Sequence, residues 1–119
     1  MYKLILVKVI YNLYNIGAKL ELKDKILKDI EDNKIILFMK GTKKMPMCGF
    51  SATVVNILNM HNVDYITTNV LDDANIRGVL SEHSNWPTIP QLFCKGELIG
   101  GCDITVELHD KGELKDILK

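Results

Sequence analysis

The sequence predicts an α/β domain, a small mixed four-stranded sheet with helices on both faces. Three observations carry this expectation. "KIILFMK", 34–40, is a continuous apolar run bounded by lysines, which reads as a strand buried on both faces. A helix-period segment follows it, and then a second strand-like run, "DYITTNVL", which together form a βαβ unit. Further on, "TIPQLFCK" and "ELIGG" flank Gly96 in a tight turn and read as a hairpin.

The elements follow in order. Leu22, Ile26, Leu27 and Ile30 fall on one face of a helix over residues 21–32, with Asn33 ending it. The strand over 34–40 comes next. "GTKKMPM", 41–47, is a loop punctuated by Gly41 and Pro46. From Gly49, Phe50, Val54, Ile57, Leu58 and Met60 mark a helix to about His61. "DDANIRGVLSEHS" forms a helix capped by Asp72 or Asp73, with Ile76, Val79 and Leu80 turned inward. After the hairpin, "DITVELHDKG" and "ELKDILK" supply the closing helices, with Asp103 as N-cap. The βαβ crossover is expected to be right-handed.

A chain of 119 residues suits one domain, and 47% hydrophobic residues can build a core. Fifteen basic and fifteen acidic residues cancel, which argues against a nucleic-acid partner. Three cysteines, Cys48, Cys94 and Cys102, do not make a disulfide framework and point to a reducing compartment. No C-x-x-C, Cys/His zinc spacing or phosphate-binding Gly-rich loop is present. His61, His83 and His109 share no ligand spacing. Met45 and Met47 read as surface or gap-filling residues, and Cys94 as an apolar strand filler.

The charges divide the chain. Residues 1–19 hold Lys3, Lys8 and Lys19 and no acid, and every acid lies from Glu21 onward. The run Leu4–Val7 is broken by Lys8 and is too short to span a membrane, so no membrane partner is expected. Residues 1–19 therefore read as an extension, and residues 20–119 as the domain. A basic, acid-free, partly apolar leader suits targeting to a mitochondrion or other organelle. Its lack of arginine speaks for the alternative, a loosely packed tail on a cytoplasmic protein.

"MCGFS", 47–51, carries the chemistry. Cys48 sits between a buried strand and the first turn of the next helix, facing unpaired N–H groups and the positive end of the helix dipole. Such settings lower a thiol pKa from about 8.5 to roughly 3.5–7.5, and the thiolate is the reactive form. Lys40 adds a cation nearby.

"KGTKKMPMCGFS", then "WPTIPQLF", then "GGCD" resembles the monothiol, CGFS-type glutaredoxins, a branch of the thioredoxin-fold superfamily. The likeness covers about residues 21–119, and three motifs match in order. It implies a glutathione site. Lys40 and Arg77 would each bind a glutathione carboxylate. The Arg77 guanidinium suits bidentate pairing. A cis peptide before Pro90 would free the Ile89 backbone to pair with the ligand. The N–H groups of Cys102 and Asp103 would receive the γ-glutamyl carboxylate, and the Asp103 carboxylate the amine. Trp86 either walls the groove or packs in the core. Cys102 either contributes only backbone or lies close enough to Cys48 to form a disulfide.

The resemblance implies a protein that binds a [2Fe–2S] cluster through Cys48, with glutathione as co-ligand, for transfer to iron–sulfur acceptor proteins. A cluster wants four thiolates, so two chains and two glutathiones would form a cluster-bridged homodimer that returns to monomer when the cluster leaves. The alternative is a glutathione-dependent thiol–disulfide oxidoreductase acting on protein–glutathione mixed disulfides, for which one thiol suffices.

Overall fold

A computed structural model describes residues 2–119. The first strand, β1 (Ile35–Met39), is buried along its whole length. Its side chains alternate between two cores, as a pleated strand requires. Ile35, Leu37 and Met39 join one cluster, and Ile36 and Phe38 the other. The remaining strands are β2 (Ile66–Asn69), β3 (Gln91–Cys94) and β4 (Glu97–Gly100). The order across the sheet is β2-β1-β3-β4. β1 pairs in parallel with β2 and antiparallel with β3, and β3 pairs antiparallel with β4. The mixed four-stranded sheet expected from the sequence is present.

Helices cover both faces. On one side lie α2 (Gly49–Met60), α4 (Cys102–Asp110) and the short α5 (Leu114–Ile117). Val54, Val55 and Leu58 of α2 and Leu114 of α5 pack there with Leu92 and Cys94. The Cys94 thiol is buried and donates to the Ile117 carbonyl at 3.4 Å. On the other side lie α1 (Tyr2–Asp32) and α3 (Ala74–Ser84). Ile26 and Ile30 of α1 and Ile76 and Leu80 of α3 pack there with Phe38 and Phe93. The two phenylalanine rings meet edge to face, 5.7 Å between centroids.

Three expectations need correction. The first helix does not begin at residue 21, because residues 2–20 continue it as one 31-residue element. The extension is therefore regular helix, exposed along most of its length. Only Ile26 and Ile30 of α1 are buried, and Leu4, Ile5, Leu6, Ile10 and Leu13 are exposed. This projecting helix makes the molecule 63 Å long and only 25 × 21 Å across. Strand β3 begins at Gln91 and not at Thr88, because residues 88–89 form a bend; the Ile89–Pro90 peptide bond is cis, as the resemblance implies. Helix α4 begins at Cys102 with Gly101 as its N-cap, and Asp103 lies within the first turn. The buried Thr105 draws the start back: its N–H and hydroxyl both bond the Gly101 carbonyl. Asp73 caps α3 as expected, accepting from the Asn75 N–H at 2.9 Å.

Candidate functional site: a thiol groove at two helix starts

The loop 41–47 folds back on itself between β1 and α2. Thr42 and Met45 exchange two backbone hydrogen bonds, and the Met47 N–H bonds the Lys40 carbonyl. Gly41 has φ +92, and a Cβ there would stand 2.4 Å from the Met45 carbonyl oxygen, so only glycine fits. The Asn69 side-chain oxygen accepts from the Gly41 N–H and ties the loop to β2. Lys43 lies 3.9 Å over the Tyr65 ring and donates to the Tyr65 carbonyl. Met45 and Met47 are exposed, as expected for surface residues.

This loop delivers Cys48 to the N-cap of α2 in extended conformation. Ser51, three residues on, is completely buried, and its hydroxyl accepts from the Lys40 N–H at 3.2 Å. The position where a second cysteine would stand in a C-x-x-C motif thus locks the end of β1 to the start of α2. The Cys48 thiol is partly exposed, and its pKa is lowered. The Ser51 backbone N–H contributes most, and burial opposes it. The Phe50 N–H, the Lys40 charge and the Ser51 hydroxyl add to the lowering. The expected direction of the shift is present, although backbone donors outweigh the lysine.

On the far side, Gly101 sits close to the wall: a Cβ there would be a tight 3.3 Å from both the Pro90 carbonyl oxygen and the Trp86 indole nitrogen, which would have to give by a few tenths of an ångström. Among the described residues that nitrogen has no hydrogen-bond partner. Gln91, fully buried, fastens the 86–88 turn by donating to the carbonyls of Trp86 at 2.9 Å and Thr88 at 3.2 Å. Cys102 is partly exposed, and its thiol is pushed up by burial and by the Asp103 carboxylate. The Thr53 hydroxyl pulls the other way, and the Cys48 charge adds a smaller upward push.

A single groove of about 410 Å³ collects Lys40, Cys48, Arg77, Ile89, Cys102 and Asp103, all six residues selected from the sequence. Phe50, Trp86, Thr88, Pro90, Gly101 and Ile104 complete its wall, so Trp86 does line the groove. The groove carries two cations, one carboxylate and a lowered thiol around an apolar lining. That set can hold a small zwitterionic ligand against a thiolate. Asn69 and Gln91 were not singled out in the sequence, and Ser51 was noted only as the place of a missing second cysteine, not for its buried hydrogen bond. Their only signal there is polarity beside apolar strand or helix residues, which does not reveal a buried hydrogen bond.

The profile of the Glutaredoxin family matches residues 35–99. A probable monothiol glutaredoxin 2 of Rickettsia typhi is 57% identical over 90 residues, covering 76% of this chain and 81% of its own. An uncharacterized monothiol glutaredoxin, ycf64, of Porphyra purpurea is 53% identical over 96 residues, covering 81% and 90%. The solution structure of reduced poplar apo GrxS14 superposes with a TM-score of 0.72 at 49% identity, covering 80% of this chain and 87% of that one. With the sheet order, the groove and these relatives together, the chain belongs to the glutaredoxin family, in its monothiol branch.

Proposed function

We propose that the groove binds glutathione and that Cys48, with the glutathione thiol, holds a [2Fe–2S] cluster carried as cargo to acceptor proteins. One observation carries the reading. The groove contains a single thiol whose surroundings favour the thiolate, and the buried Ser51 hydroxyl fills the place of an on-site partner. Four thiolates complete a cluster. A chain that offers one must borrow the rest, from bound glutathione and from a second chain. Lys40 supplies charge for a glutathione carboxylate, Arg77 for the glycine carboxylate, the N–H groups of Cys102 and Asp103 receive the γ-glutamyl carboxylate, and the Asp103 carboxylate takes the amine. The open Cys48 side suits approach of a second chain and release to an acceptor.

The lowered Cys48 thiol also favours nucleophilic attack on a mixed disulfide, the oxidoreductase reading. Atoms balance in that exchange: Cys48 sulfur takes the glutathione sulfur, and the protein thiolate leaves. The closed 41–47 loop, pinned by Lys43 on Tyr65, supports slow turnover by fixing how a second glutathione can approach.

The deciding experiment is anaerobic reconstitution with iron and sulfide, with and without glutathione, followed by visible absorption and size analysis. The carrier reading expects a coloured dimer only when both iron and glutathione are supplied, and a monomer after the cluster is removed. A colourless monomer that rapidly removes glutathione from protein substrates would put the oxidoreductase in its place. The basic, apolar start of α1 supports an organellar location. A reporter fused to residues 1–19 should leave the cytosol, and a cytosolic reporter would remove that assignment.

A further inference from the structure

Helices α2 and α4 start at the thiol groove and end together on the opposite side of the domain. His61 is the C-cap of α2, and His109 lies in the last turn of α4. The twelve residues of α2 span about 18 Å, so this end is remote from Cys48. Here the two imidazoles meet: His61 Nε2 and His109 Nδ1 are 3.0 Å apart, with the ring planes at 78°. Both rings are partly exposed.

We propose that His61 and His109 form a binding site for one borderline divalent transition-metal ion of the Ni2+, Zn2+ or Cu2+ class. Imidazole is a preferred ligand of these ions. With metal–nitrogen bonds of about 2.0–2.1 Å, two neighbouring ligands stand about 2.9–3.4 Å apart, so the observed spacing needs only a tilt of the rings. At 3.0 Å one ring donates an N–H to the other, the direction set by the tautomer. On binding, that proton moves through solvent to the same ring's second nitrogen, so both facing nitrogens offer lone pairs and no net proton is released. Among the described residues no group of three His, Cys, Asp or Glu side chains surrounds a common point. Water or an added ligand therefore completes the shell, and the Lys115 charge works against the dication. The site is accordingly an exchangeable one.

The test is a titration of the reduced full-length protein with Ni2+ alone, read by NMR of the histidine ring signals. The His61 and His109 rings should broaden first, at substoichiometric Ni2+, and His83 should not. His61→Gln and His109→Asn retain a polar group for the helix contact. Each should raise the Ni2+ concentration needed by about tenfold or more, while His83→Ala changes nothing. If the two rings broaden no earlier than His83, or if either variant titrates as the wild type does, the pair is a hydrogen-bonded clasp only and the site is refuted.

Discussion

Cys48 and Cys102 stand at the starts of two helices and line one groove, yet their thiols are driven in opposite directions. The difference lies in one step of helix geometry. Cys48 is the N-cap of α2, and the N–H groups that act on its sulfur belong to Phe50 and Ser51, the second and third helical residues. Those are the donors an N-cap side chain faces, although the Cys48 sulfur makes no capping hydrogen bond to either of them. Cys102 is the first residue inside α4, where Gly101 occupies the cap, and Asp103 follows it. Its sulfur gains burial and a neighbouring negative charge instead. In this chain the cysteine at the cap is lowered and the cysteine one step inside the helix is raised.

The largest expected effect tests which thiol matters. Cys48→Ser should abolish cluster assembly, because a hydroxyl does not replace a soft thiolate on iron. Cys102→Ser should retain it, as read by absorption after reconstitution. Equal loss in both variants would break the comparison. Next, Lys40→Ala and Arg77→Ala should each weaken glutathione binding. A charge-assisted contact contributes roughly 1.5–3 kcal/mol, about tenfold or more in affinity. Calorimetry that finds both variants unchanged would remove those two residues from the ligand site.

A smaller effect is expected from Ser51→Cys. It creates a C-x-x-C pair, but the new sulfur would occupy a buried site and replace a hydroxyl that accepts from the Lys40 N–H. Deglutathionylation assays should show only a slight gain, whereas a large one would mean that turnover is limited by the missing resolving thiol. The smallest effect belongs to Asp103→Asn. Removing the carboxylate should lower the Cys102 pKa modestly, seen as alkylation of Cys102 beginning at lower pH, with Cys48 little changed.

The Cys48 half of this contrast was legible in the sequence and the Cys102 half was not, for physical reasons. Cys48 could be placed at a helix start because an unbroken apolar strand precedes it and helix periodicity follows it. The start of α4 was misjudged because Asp103 has the side chain that caps best, while Thr105, buried and bonded to the Gly101 carbonyl, sets the true boundary. The N-terminal half of α1 escaped because its apolar residues lie on most sides of the helix and mark no single buried face. His61 and His109 lie 48 positions apart and meet only when α2 and α4 pack. Gln91 and Ser51 look like ordinary polar residues until their buried partners are seen.

The central claim, that the groove holds one activated thiol and one suppressed thiol, is tested most directly by alkylation against pH with both cysteines followed by mass spectrometry. The thiolate is the reacting form, so a lowered pKa moves the rise in rate to lower pH and a raised pKa moves it higher. The account predicts that Cys48 alkylation rises below the ordinary thiol range and Cys102 alkylation above it, in the same sample. A common midpoint for the two cysteines, or Cys102 reacting at the lower pH, would contradict it.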